Sequence, residues 1–195
     1  IKYSKERIEK AVLILKKYNT RENYREIEYS SITIFSEIIR LWGSDLAILD
    51  QVRSTFYSFF QSDSKPYDDV ELVLSKLKKN NFKIAVLTDV AYGMDNKYSL
   101  KDIESISNNI DLVLTSVDVG YRKPNPKGYK MILDYFKISP SEMIYIGDEE
   151  KDITGANELG IKSALINRNC ANKNFEQLYT LNSLNDILNF LEGVD

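Results

Sequence analysis

The sequence predicts an α/β fold, a doubly wound parallel sheet with an α-helical cap on its N-terminal side. Three observations carry this. The first third of the chain reads as helix throughout. Beyond residue 66, short apolar runs alternate with amphipathic helical stretches, the signature of βαβ units. Thr88, Lys123 and Asp148 each follow such a run, at what would be the carboxyl end of a parallel strand, where open α/β sheets bind ligands.

Residues 4–18 predict the first helix, with Ile8, Val12 and Leu15 on one face and Ser4 as its cap. A second helix is predicted over 23–42, with Ile27, Ser31, Ile34, Ile38 and Leu41 near helical spacing. A third covers 45–60 and ends in the aromatic cluster Phe56, Tyr57, Phe59 and Phe60. Trp42 or part of that cluster is expected inside the helical unit. The Ser-, Asp- and Pro-containing stretch 61–66 suits a boundary. The expected domains are therefore a helical cap, 1–65, and an α/β core, 66–195. In the core, strands are predicted at 83–87, 112–114, 143–146 and 163–166, with a short fifth at 179–181. Helices are predicted at 70–79, around 100–107, and at 127–136, 153–159 and 184–191. Gly160 suits the stop after 153–159.

Composition narrows the chemistry. The apolar fraction is 43%, ordinary for a globular core. The net charge of −3, with both signs mixed along the chain, gives no electrostatic footprint for nucleic acid or an anionic membrane. One cysteine, Cys170, cannot form an intrachain disulfide or a thiolate metal site. With no histidine, imidazole bases and His–metal ligation are excluded. Catalysis in these residues must use carboxylates, Lys, Ser or Thr hydroxyls, or backbone amides. No apolar run approaches the roughly 20 residues of a membrane span, and a soluble cytoplasmic protein is expected. The chain starts at Ile1 rather than Met, as a fragment, a processed product or a trimmed chain would.

Three pieces carry chemistry. In Gly147-Asp148-Glu149-Glu150-Lys151-Asp152, two carboxylates a helical turn apart at a strand end suit a hard cation such as Mg²⁺. The plainer reading makes Asp152 a helix cap. Thr88, followed by Asp89 and a loop ending at Gly93, can donate to a phosphate oxygen beside backbone amides; the plainer reading is a turn hydroxyl. Lys123, in the proline-stiffened run Lys123-Pro124-Asn125-Pro126, can neutralise a bound phosphate; the plainer reading is a surface lysine.

In this order, each after its own strand, the pieces resemble motifs II, III and IV of the haloacid dehalogenase superfamily: Thr88, then Lys123, then Asp148 with Asp152. The runs Ile144-Tyr145-Ile146-Gly147-Asp148 and Ala156-Asn157-Glu158-Leu159-Gly160 are similar to the phosphoglycolate-phosphatase-like and nucleotidase-like branches. The resemblance implies a Mg²⁺-dependent phosphohydrolase working through an aspartyl-phosphate on a small phosphorylated metabolite. Thr88, Asp89 and Lys123 would bind phosphate, Asp148 and Asp152 would hold the metal, with Asp152 ordering Lys123 or a metal-bound water, and Thr88, Lys123, Asp148 and Asp152 would form the catalytic set. Homo-oligomerisation is left open. Two alternatives stand beside it: a non-catalytic module that binds a phosphorylated ligand or partner, and a 2-haloacid dehalogenase.

One departure is large. The superfamily's first motif, an Asp-x-Asp run after the first strand, supplies the nucleophile. Residues 1–20 contain no Asp, and Asp45, Asp50 and Asp63 follow no strand-like segment. The expectation is that the nucleophile lies outside these residues, that the chain alone is inactive, and that the strands ending at Thr88 and Asp148 are not direct neighbours.

Overall fold

The computed structural model describes residues 4–62 and 64–192. Three helices open the chain: α1, Lys5–Tyr18; α2, Ser31–Leu41; and α3, Leu49–Phe60. Ser4 caps α1, its hydroxyl accepting from the Arg7 N–H at 3.2 Å. Asp45 caps a 3₁₀ turn, Leu46–Ile48, that leads into α3.

The helix expected from residue 23 starts only at Ser31, and the reason is long-range. Ile27 forms an antiparallel bridge with Tyr121. The Glu28 N–H donates to the Gly120 carbonyl at 3.0 Å, and the Arg122 N–H donates to the Glu26 carbonyl at 2.8 Å. These bonds engage main-chain groups that a helix over 23–30 would have used internally. Ser30 then caps α2 by accepting from the Thr33 N–H at 3.2 Å.

Packing explains the aromatic cluster. Ile34, Phe35, Ile38 and Tyr57 are buried together with Val90, Met94 and Tyr98, so this core runs across the stretch expected to separate two domains. Trp42 and Phe56 pack against it, whereas Phe59 is 85% exposed. Phe35 meets Phe56 and Tyr57 edge-on, with ring centroids 5.1 and 5.8 Å away. Gly93, at φ +63°, lets the chain at 29–31 close onto this segment; a Cβ there would overlap the Tyr29 carbonyl.

The remainder alternates as expected. Its elements in order are α4, Val70–Lys79; β1, Ala85–Thr88; α5, Asn96–Ser99; and, after a 3₁₀ stretch Leu100–Asn109, β2, Leu112–Thr115. Then come α6, Ser116–Val119; α7, Lys127–Phe136; β3, Ile144–Gly147; α8, Glu150–Asn157; β4, Lys162–Ile166; β5, Tyr179–Leu181; and α9, Asp186–Glu192. The helix expected around 100–107 winds as 3₁₀, a common form for a connector. β1 pairs parallel with β2, while β3, β4 and β5 form a separate parallel sheet in that order. Val86 pairs with Val113 and Tyr145 with Ser163. Between β1 and β3 the connection is instead a side chain: the Tyr145 hydroxyl donates to the Leu87 carbonyl at 3.3 Å. Helices cover both parts, with Tyr129, Leu133, Tyr145 and Ala156 in one buried cluster and Val73, Ala164, Leu181 and Ile187 in another. No helix among the described residues is long and apolar enough to cross a membrane.

Asp69 ties the start of α4 to the far side of this sheet. Its two oxygens accept from the Arg168 guanidinium at 2.9 and 3.0 Å, and it also accepts from the Leu184 N–H at 2.7 Å. Hydrogen bonds from Arg168 hold this carboxyl below its ordinary value of 3.8. A lowered carboxylate adds stability above its unfolded pKa and loses it as pH falls through the folded value. Asp69→Asn is expected to cost about 1–3 kcal/mol in urea unfolding at neutral pH. The deficit against wild type should shrink below about pH 4.

Candidate active site

The strands are short and parallel within each sheet, so their carboxyl ends point one way and the residues after them gather. β1 delivers Thr88 and Asp89, β3 delivers Asp148 and Glu149, and the loop after α6 delivers Arg122 and Lys123.

The centre of the group is an ion pair. The Lys123 ammonium sits 2.6 Å from the Asp152 carboxylate, with the two side chains 11% and 4% exposed. The same ammonium donates more weakly to the Tyr145 hydroxyl at 3.3 Å and the Leu87 carbonyl at 3.4 Å. Burial alone would lower the pKa of Lys123. The Asp152 carboxylate, with Asp89 nearby, outweighs it, and the net shift is upward. The Tyr145 phenol is pushed well up by burial and by the same two carboxylates, so it stays a neutral hydrogen-bond donor.

Asp152 is held as tightly as it holds. Its Oδ2 accepts from the Asp148 N–H at 3.2 Å and the Glu149 N–H at 3.1 Å. Glu149 and Asp152 form a reciprocal capping box at the start of α8, so this helix begins at Glu150, earlier than the apolar spacing predicts. Gly147 is required because a Cβ there would overlap the Asp152 side chain. Asp89 completes the group. Its Oδ1 accepts from the Lys123 N–H at 3.1 Å, and its Oδ2 lies 3.0 Å from the Lys151 ammonium, which also meets Glu149 at 2.7 Å.

Asp89, Lys123, Asp148, Glu149 and Lys151 border a cleft of about 1030 Å³. Asp89, Lys123 and Asp148 form one wall, and Arg21, Tyr24 and Phe60 of the helical part form another. Thr88 opens instead into an adjoining cavity of about 320 Å³ that shares Phe60 and Asp89 with the first. Of the residues singled out in the sequence, Lys123, Asp152 and Asp89 are in direct contact, Asp148 stands beside them, and Thr88 lies one cavity away.

The two acids expected to hold a metal differ. Asp148 is exposed on the cleft wall and its carboxylate can take a cation. The Asp152 carboxylate is already engaged by Lys123 and two N–H groups. No group of three or more carboxylate, His or Cys side chains that could hold a metal occurs among the described residues. Sequence reasoning missed Tyr145, Lys151 and Arg122 as members of this neighbourhood. The signal for Tyr145 was available, since a polar phenol in an otherwise apolar strand needs a partner.

Comparison with known proteins agrees with this architecture. The chain is 29% identical to a phosphoglycolate phosphatase of Aquifex aeolicus over 102 residues, 52% of this chain and 47% of that protein. It is 35% identical to a glyceraldehyde 3-phosphate phosphatase of Methanopyrus kandleri over 106 residues, 53% of this chain and 44% of that one. The chain thus spans about half the length of these curated relatives. A HAD phosphatase structure from Thermococcus onnurineus covers 95% of the chain and 92% of its own length at a TM-score of 0.60 and 19% identity. A 2-haloacid dehalogenase structure from Pseudomonas syringae covers 95% and 80% at a TM-score of 0.71, also at 19% identity, so both speak to the fold. The model of the haloacid dehalogenase-like hydrolases matches residues 5–166, a span that holds both the helical part and the whole Lys123–Asp152 group, and the chain belongs to that family.

Proposed function

We propose that this chain forms the phosphate-binding part of a phosphohydrolase acting on small phosphorylated metabolites, with residues 1–65 serving as the cap that chooses among them. The observation that carries the reading is the Lys123–Asp152 pair, a buried cation fixed at 2.6 Å beside an open cleft. A lysine so fixed meets a phosphoryl group with little reorganisation, which is how a preorganised charge lowers the barrier to phosphoryl transfer. The amides following β1 would take further phosphoryl oxygens, while Thr88, which opens into the adjoining cavity, stands back from that group. In this proposal Asp152 is a positioning residue for Lys123, and Asp148 is the residue of this chain that would hold Mg²⁺. When bound, that ion supplies positive charge for the phosphoryl oxygens. The attacking aspartate would come from a strand outside these 195 residues, taking the place between β1 and β3, whose facing edges pair with no strand among the described residues.

Inorganic phosphate tests the reading without requiring turnover. The chain should bind it in calorimetry, and Lys123→Ala should weaken binding by about tenfold or more, the loss expected when a charge-assisted contact is removed. Phosphate affinity that is absent, or unchanged in Lys123→Ala, would overturn it. A second reading, a module that binds without turnover, is favoured by the tethering of Asp89 to Lys123 and Lys151, which leaves that carboxylate poorly placed to attack. Phosphatase activity in a longer protein carrying an Asp-x-Asp strand would decide against it.

A further inference from the structure

Glu28 lies on the chain between α1 and α2, far in sequence from every residue of the cleft core, yet its side chain is only 1% exposed. Its four partners come from three parts of the molecule. Oε1 accepts from the Tyr29 N–H at 2.9 Å and from Arg25 Nη2 at 3.0 Å. Oε2 accepts from the Ser116 hydroxyl at 2.7 Å and from Arg122 Nη1. Arg122, itself 7% exposed at its side chain, also donates to the Val90 carbonyl at 2.9 Å, and the Ser116 hydroxyl accepts from the Val90 N–H at 3.0 Å. One carboxylate therefore joins the segment after β1, the segment after β2 and the residue preceding Lys123.

The main chain reinforces the side chain. The bridge between Ile27 and Tyr121, with its two flanking hydrogen bonds, runs directly into the Lys123 loop. Asn125, on the other side of Lys123, donates from its amide to the Glu26 carboxylate. The loop is thus gripped by residues 26–28 both before and after the lysine. A buried carboxylate between two arginines is a poor source of net stability but an effective way to fix one arrangement. A cap that swung freely away from the cleft would have to break this network.

We propose that Glu28 is a positioning residue: through Arg122 it locks the loop bearing Lys123 to the helical part, so that the phosphate-binding lysine is set only when residues 26–28 are docked. This rests on Lys123 being the phosphate-binding group proposed above. The substrate-choosing wall and the phosphate-binding wall then move as one body at this point, and opening of the cleft must hinge elsewhere.

The test reads two quantities on the 195-residue chain: amide hydrogen exchange at residues 120–125 and affinity for inorganic phosphate. Glu28→Gln should speed exchange at Arg122 and Lys123 and weaken phosphate by about tenfold, less than the loss from truncating a buried charge pair that itself meets the ligand, because Glu28 acts through Arg122. Ser116→Ala, which removes one donor without leaving a buried charge unbalanced, should do both to a smaller degree and decides the matter if Glu28→Gln does not fold. Glu28→Asp should recover part of the affinity. Lys123→Ala should weaken phosphate by about tenfold or more while leaving the Arg122 amide protected. If Glu28→Gln or, failing it, Ser116→Ala keeps wild-type protection and affinity, the inference is overturned. Should wild type bind no phosphate at all, the proposed function fails, and hydrogen exchange still judges the lock.

Discussion

Incubated with para-nitrophenyl phosphate and Mg²⁺, the 195-residue chain is expected to release nitrophenol no faster than buffer does. Against an ordinary turnover of about 10 s⁻¹, this is a loss of the whole catalytic effect. The carboxylates that border the cleft are Asp89, Asp148, Glu149 and Glu150. An aspartyl nucleophile must be ionised, unpaired and in line with a phosphorus atom held by Lys123. Asp89 accepts from the Lys123 main chain and lies against the Lys151 ammonium. Glu149 is paired with Lys151, whose hydrogen bond holds its pKa down, and is committed to capping α8. Asp148 is the acid that would hold the metal, and Glu150 is an exposed residue that opens α8. Turnover at ordinary enzyme rates that vanished in Asp89→Asn or Asp148→Ala would show that a carboxylate of this chain does attack. Supplying an Asp-x-Asp strand in the same polypeptide before residue 1 is expected to restore activity, since β1 and β3 each pair on one side alone among the described residues.

The sequence was most informative where chemistry follows local pattern. The apolar runs ending at Thr88 and Gly147, the proline-flanked Lys123 and the spacing from Asp148 to Asp152 all place their residues by near-neighbour rules. The structure brings Lys123 against Asp152 and Asp89 with Asp148 beside them, while Thr88 opens into the adjoining cavity. What stayed hidden depends on contacts distant in sequence. Residues 23–30 have helical spacing, yet their main chain pairs with 120–122, and no local signal reports a partner so far along the chain. Glu28 belongs to none of the motifs for the same reason, although it is buried against Arg122 and Ser116. Asp152 was legible as an acid of the site. Whether it would face a metal or a lysine turned on the short distance to Lys123 and on the two N–H groups it accepts, which spacing cannot give.

Asp152→Ala is expected to be the most damaging single substitution in the chain. It would leave the Lys123 ammonium, 11% exposed, without the carboxylate that offsets its burial. The N–H groups of Asp148 and Glu149 would lose their acceptor, and α8 would lose half of its capping box. Breaking a buried pair from one side costs about 3–5 kcal/mol, well above the 1–3 kcal/mol of a lost hydrogen bond alone. Equilibrium urea unfolding measures it. The pH dependence has a definite sign. Lys123 is raised by Asp152 above its ordinary value of 10.5, so its share of stability is present below that value and disappears as pH rises through the folded pKa. The deficit of Asp152→Ala should therefore hold through neutral pH and narrow in strong alkali. A paired replacement separates stability from function. Lys123→Met with Asp152→Asn removes both charges while the Asn side-chain oxygen can still accept from the Asp148 and Glu149 N–H groups, and should recover part of the lost stability. The same double variant should bind no phosphate. If it matched wild type in phosphate affinity, the buried pair would be structural filling and the cleft's anion-binding group would have to be sought elsewhere, first at Arg21 and Lys173 on its open side.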